Sequence, residues 1–200
     1  YRGCHLLTAP LAQMGKTAKR IDTANDTAGL MGIEGLLHAQ YYAAWAMVDP
    51  RLAFGKRIRR PPNNPINCLI SFLNQLTYTA ARHEVFKTHL EETLAWLHAP
   101  GVGRSSLSLD LAEPFKPILA DMLIFRLVRK NILLGNWFVQ KDGVCLLTET
   151  GRRHVAEHFS VRLEQRYQGK IYREWMYREA IGIERHVMGL AEYTSFKRKV

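Results

Sequence analysis

The run from Thr27 to Val48, TAGLMGIEGLLHAQYYAAWAMV, constrains the fold more than any other stretch, because it carries a single formally charged residue, Glu34. Leu30, Leu37, Tyr41 and Trp45 recur at helical spacing and predict a buried stripe. Asp49-Pro50 closes the helix, since a residue before proline is biased away from the helical region. Gly29, Gly32 and Gly35, three apart, predict the close approach of another backbone. Glu34 falls inside the stripe. A carboxylate on a buried face has to be paired, protonated or bound to a cation, because an unpaired buried charge is strongly destabilising. An ion pair with an arginine from elsewhere and a metal ligand are both open readings. A membrane span also fits a run this apolar, but His38 and Gln40 accompany Glu34 in its middle and argue against it.

A second stretch, Leu97 to Pro117, reads LHAPGVGRSSLSLDLAEPFKP. It joins His98, a Gly/Pro/Ser loop and the pattern Asp110-x-x-Glu113. An imidazole and ionised carboxylates are what a divalent cation needs when it must also touch a phosphate. Three apart on a helix, Asp110 and Glu113 share a face and can point at one spot. The same residues also fit an N-terminal capping box, with His98 at a helix end stopped by Pro100.

The remaining chain reads as helices with one hairpin. Tyr1 to Arg20 is a short helix or linker ahead of the main domain, which runs from residue 21 to 200. Asn64-Pro65 starts a helix through Ile66, Leu69, Ile70, Leu73 and Leu76 to about Lys87, and Leu90 to Leu97 continues helical to His98. Ile118 to Leu127 is another apolar helix, with Pro114 and Pro117 in its first turns. Trp137 to Leu147 is a β-hairpin turning at Asp142-Gly143. Thr148 caps a helix through Leu163, Tyr172 to Leu190 is the last helix, and the Lys197–Lys199 tail is a frayed basic end. The fold class is therefore mainly α, with one small β-hairpin near 137–147.

Charge narrows the partners. Across 200 residues, 28 basic against 18 acidic side chains give +10, which favours a polyanion. The stretch Arg51–Pro62, RLAFGKRIRRPP, concentrates Arg57, Arg59 and Arg60 and suits phosphates, though it also suits a solvated loop. Three dispersed cysteines offer no disulfide framework and suit a reducing cytoplasm. No phosphate-binding loop, dinucleotide fingerprint or nucleophile elbow is present. Ser105, Ser106 and Ser108 read as turn residues, and His154 and His158 as solvated. Tyr172, Trp175 and Tyr177 read as core.

Four ordered segments, spread from Ile21 to Phe196, resemble the catalytic lobe of the CRISPR adaptation integrase. Gly32-Ile33-Glu34-Gly35 with Tyr41 is similar to its first acidic motif, and Arg60-Pro61-Pro62 with Asn64-Pro65-Ile66-Asn67 to its R-P-P-x-x-P-x-N segment. Leu97-His98 with Ser108 to Pro117 is similar to its histidine and second acidic motif, and Arg178-Glu179-Ala180, Leu190, Tyr193 and Phe196 to its closing helix.

The resemblance implies a helical lobe that binds Mg²⁺ or Mn²⁺ through Glu34, His98 and Glu113, with Asp110 as an adjacent acid or alternative ligand. It implies an enzyme that attacks a phosphodiester with a DNA 3′-hydroxyl, inserting new spacers into a CRISPR array in a prokaryotic cytoplasm. Arg57, Arg59, Arg60, Arg104 and Lys116 would contact DNA. The implied partners are DNA, the small ferredoxin-like adaptation subunit, a second copy within a heterohexamer and, in some relatives, a fused reverse transcriptase. Two departures carry expectations. His89 to Trp96 lacks the family's glycines and proline, which predicts a straighter helix into His98, and the family's N-terminal β-rich lobe is not in these residues. A metal-dependent nuclease without integration, or a DNA-binding scaffold without chemistry, are the alternatives.

Overall fold

A computed structural model of the protein describes residues 5–99 and 105–198. The fold is mainly α, and its axis is α3 (Pro65–Val85). Asn64 caps α3 by accepting from Asn67 N at 2.9 Å, and Pro65 stands in the first turn, where its missing N–H has no helical partner to lose. Ile66, Leu69, Ile70, Leu73, Ala81 and Val85 recur at helical spacing and are all buried. Around α3 pack α4 (Ser106–Ala112), α5 (Met122–Arg129), α6 (Glu149–Leu163) and α7 (Tyr172–Val187). α5 is entered through a π-helical turn, Pro117–Asp121, which accommodates Pro117 at its start.

Thr148 caps α6 as expected, accepting from Gly151 N at 3.1 Å. The expected hairpin pairs β1 (Phe138–Lys141) with β2 (Val144–Leu147) across Asp142-Gly143, whose φ angles of 50° and 74° suit a tight two-residue turn. A second, very short hairpin, β3 (Arg166–Tyr167) with β4 (Lys170–Ile171), was not expected from the sequence. Its signal is Gln168-Gly169, both at positive φ.

α2 (Thr27–Val48) is capped by Asp26, which accepts from Gly29 N at 2.7 Å. In the segment expected as a lead-in, α1 (Thr8–Ala18) forms and lies along α2, where Gln40 Nε2 donates to Thr17 Oγ1 at 3.0 Å. The predicted stripe is buried mainly at its C-terminal end. Trp45 is enclosed by the rings of Tyr41, Tyr42, Phe54 and Phe125, 4.7–5.8 Å away. Leu30 and Leu37 are only half-buried. The expected backbone crossing at the glycines does not occur. A Cβ on Gly32 or Gly35 would meet nothing within 4 Å, and one on Gly29 would meet chiefly the capping Asp26. No helix of the described residues is long and apolar enough to cross a membrane.

Four further expectations are corrected. The segment Leu90–His98 is not a helix but a series of turns and bends. Tertiary partners pull it out of helical shape without glycine or proline. Glu184 accepts from His89 N and Nδ1 at 2.7 and 2.9 Å, Arg82 holds Glu92 through two bonds of 2.8 and 2.9 Å, and Asp110 collects the N–H groups of residues 96–98. The last helix ends at Val187 rather than Leu190. The chain beyond it is docked, not frayed, as far as Arg198. Buried Glu179 accepts from Tyr193 Oη at 2.5 Å, Ser195 Oγ at 2.9 Å and Phe196 N at 2.9 Å, and Arg198 lies over the Tyr167 ring. His154 likewise is not simply solvated, because its ring stacks on Trp137.

Candidate metal centre

Two residues one turn apart on α2 and one just past the end of α4 form the site. One ligand atom from each of Glu34, His38 and Glu113 lies within 4.8 Å of the other two. The i, i+4 spacing brings His38 Nδ1 to 3.8 Å from Glu34 Oε1. The side chains are 27%, 34% and 23% exposed for Glu34, His38 and Glu113. That leaves them shielded enough to feel each other's charge and open enough to admit a phosphate. The side chain beside Glu34 is thus the His38 imidazole, 3.8 Å away, and among the described residues no arginine pairs with it.

Glu113 owes its position to packing. Leu107, Leu111 and Ala112 bury one side of α4, and Phe115, two residues beyond Glu113, is fully buried with its ring stacked on Phe196 at 4.9 Å. The docked tail therefore braces the turn that presents Glu113. Lys116 pairs with Glu113 and lies 3.4 Å from Tyr78 Oη. Burial works to lower the Lys116 pKa, but the Glu113 carboxylate and Tyr78 outweigh it and hold the ammonium above its usual range. Burial, then the Lys116 charge, push His38 below the usual imidazole range against the opposing pull of Glu34 and Glu113. Neutral imidazole is the form that can ligate a metal.

Asp110 and Glu113 diverge instead of sharing a target. Asp110 lies inside α4, so it is not an N-cap, and it faces the turn at residues 96–98. Its carboxylate accepts from Trp96 N and Leu97 N at 2.9 Å and His98 N at 3.3 Å, and it holds His98 Nδ1 at 2.5 Å. With Nδ1 engaged, Nε2 is the nitrogen His98 can offer a cation, the arrangement by which carboxylates orient ligating histidines. His98 is not part of the group formed by Glu34, His38 and Glu113.

The basic residues separate as well. Arg57 is folded onto the start of α3, with Nη1 on Ile58 O at 2.7 Å and Asn67 Oδ1 at 3.1 Å and Nη2 on Ser71 Oγ at 2.9 Å. Arg59 and Arg60 are exposed, and the Arg59 charge acts on His38. Arg104 lies outside the described residues.

Sequence reasoning passed over two groups. His38 served only as a polar mark against a membrane span, although its spacing from Glu34 was the available signal. Asp121, the one acid in an apolar helical stretch, is buried with Oδ1 lacking a hydrogen-bond partner. Burial pushes its carboxyl up to about 7, and burial, then the neighbouring Asp121 carboxylate, push the Tyr41 phenol upward.

Two carboxylates with imidazole nitrogen suit Mg²⁺ or Mn²⁺, the first being oxygen-loving and the second accepting nitrogen more readily. The family model described as CRISPR associated protein Cas1 matches residues 2–161. The CRISPR-associated endonuclease Cas1 of Fusobacterium nucleatum subsp. nucleatum is 37% identical over 192 residues, covering 92% of this chain and 57% of that protein. A Cas1 protein from Thermotoga maritima has a similar structure, with a TM-score of 0.86 at 29% identity over 96% of this chain and 63% of that one. The fold recurs at 19% identity and TM-score 0.86 in a Cas6-RT-Cas1–Cas2 complex, where this chain spans 23% of the matched chain. The chain spans less than two thirds of each of these proteins. With the family model matching most of the sequence and a relative more than a third identical along nearly all of it, the chain belongs to the CRISPR-associated Cas1 family.

Proposed function

We propose that this chain is the catalytic lobe of a metal-dependent DNA integrase that inserts short DNA fragments into a CRISPR array, a reaction in which a DNA 3′-hydroxyl attacks a phosphodiester. The observation that carries this reading is the meeting of Glu34 from α2 and Glu113 from the end of α4 on one spot, within a Cas1-family chain. The new P–O bond forms as the old one breaks, so the number of phosphodiester bonds is conserved and no covalent enzyme intermediate is needed. A bound divalent cation supplies positive charge to the phosphoryl oxygen and eases deprotonation of the attacking hydroxyl.

The remaining chemistry belongs to the side chains. Glu34, Glu113 and His98 are the proposed ligands, with Asp110 fixing the His98 ring through Nδ1. Lys116, held by Glu113, contributes a permanent charge beside the scissile phosphate. Arg59 and Arg60, exposed on the basic stretch, position the DNA backbone without reading bases, while Arg57 holds that stretch against α3. Arg104 belongs to the same proposed phosphate-contacting set.

DNA is accordingly the proposed substrate, and the small ferredoxin-like adaptation subunit and a second copy of the chain are the proposed partners, in the prokaryotic cytoplasm. The exposed Met31, Leu36 and Met47 on α2 support further protein contact. A reverse-transcriptase fusion and a domain boundary near residue 20 are proposed on the same resemblance. The test is a joining assay with a short DNA duplex, a repeat-containing target and Mn²⁺. Joined product that is lost with Glu113→Gln or with chelator supports the integrase. Cut fragments alone would make the chain a nuclease, and DNA binding indifferent to chelation with no product would make it a scaffold.

A further inference from the structure

His38 stands where the proposed metal chemistry has no assigned role for it. It projects from the same face of α2 as Glu34, one turn on, and its ligand nitrogen lies within 4.8 Å of a carboxylate oxygen of both Glu34 and Glu113. Cis ligands around an octahedral ion with bonds of about 2.1 Å are about 3 Å apart. The three groups therefore need only small side-chain rotations to close on one ion. The Tyr42 ring, stacked on His38 with centroids 6.0 Å apart, backs the imidazole and limits its swing. A cationic group already lies among these donors, since the Lys116 ammonium is paired with Glu113 and its charge acts on His38. The His98 ring, in contrast, is tied to Asp110 at 2.5 Å and stands apart from the group.

We propose that His38 is a direct ligand of the divalent cation, which is then held by Glu34 and His38 on one turn of α2 and by Glu113 across from them. This rests on the reading of Glu34 and Glu113 as a metal site. An α2 imidazole in the ligand set biases the site toward Mn²⁺ over Mg²⁺, because nitrogen donors suit the former better. It also gives the ion two ligands on α2, beside Glu113 and the proposed ligand His98, so its attachment to α2 does not rest on Glu34 alone.

The test is Mn²⁺ binding to the intact chain, followed by electron paramagnetic resonance with detection of nitrogen couplings to the bound ion. His98→Ala is expected to keep Mn²⁺ bound, with one imidazole nitrogen coupling remaining. Adding His38→Ala in that background is expected to erase the coupling and weaken Mn²⁺ binding about tenfold or more, with a smaller loss for Mg²⁺. His38 is partly exposed on a helix surface, so its truncation leaves the fold intact. Absence of any nitrogen coupling in His98→Ala, including by loss of the ion, overturns the proposal, as does a coupling that survives the double substitution. Glu113→Gln separates the two readings. If it abolishes Mn²⁺ binding while the His38 result is negative, only the role of His38 falls. If Mn²⁺ binding is indifferent to Glu113→Gln as well, the metal site itself falls.

Discussion

α2 and α3 are nearly equal in length, 22 and 21 residues, yet they do opposite work. α2 is the more apolar of the two but buries only Ile33 and Trp45, whereas α3 buries ten residues. α3 alternates polar and apolar faces and can be surrounded, so it becomes the scaffold. α2 is apolar nearly all round; α1 lies along it, but it is enclosed mainly at its C-terminal end, by the aromatic rings around Trp45. Its middle is left as a half-open wall, and there stand Glu34 and His38. Apolar composition thus marks which helix can lack charge, not which helix is enclosed. The proposed chemistry falls to the helix that is only partly covered.

The largest effect expected from this contrast is in activity. Glu34→Gln in α2 should reduce DNA joining about a thousandfold or more, the scale of losing a preorganised charge-stabilising group, while the melting temperature stays unchanged. A proportional loss of stability would mean that Glu34 is a structural residue. Next comes stability itself. Leu69→Ala in α3 should cost about 2–5 kcal/mol by denaturant unfolding, and Leu36→Ala on the open face of α2 less than about 0.5 kcal/mol. Equal costs would erase the distinction between scaffold and wall.

Smaller effects sharpen the picture where other elements meet α2. Asp110→Asn keeps the shape of the carboxylate but weakens its hold on His98 Nδ1 and on the turn at residues 96–98. If His98 ligates the ion, divalent-metal affinity measured by calorimetry should fall about 10–100-fold, and an unchanged affinity would leave Asp110 a loop anchor only. The mildest prediction concerns pH. Burial raises the Asp121 carboxyl from an ordinary value of 3.8 to about 7, so the folded state holds its proton more tightly than the unfolded chain does. That contribution is complete below about pH 4 and is lost as pH climbs through 7. Asp121→Asn should flatten the stability profile across this window and leave the variant relatively more stable at pH 8. A profile identical to that of the parent chain would show that Asp121 does not titrate there.

Much of the architecture was legible because its signals are local. Asn64-Pro65, Thr148 and Asp142-Gly143 act through backbone groups one to three residues away, so a cap or a turn can be read without knowing the rest of the molecule. The segment before His98 misled for the opposite reason. Leu90 to Leu97 has ordinary helical composition, and the groups that unwind it, Glu184, Arg82 and Asp110, are tertiary neighbours. The basic tail misled likewise, because Glu179, Tyr193 and Phe196 share a motif along the chain but only the fold shows that the Glu179 carboxylate binds the other two and docks the segment ahead of the tail.

The sequence by itself determined a mainly helical chain with one clear hairpin, and it pointed to Glu34, His98, Asp110 and Glu113 as the residues with chemistry to perform. Only the tertiary structure decided how those residues divide: Glu113 toward Glu34 and His38, and Asp110 toward His98. The physical reason is that helical periodicity fixes which face of its own helix a side chain leaves from. What that face meets depends on how whole helices pack, as where Phe115, two residues beyond Glu113, is buried against Phe196 of the docked tail.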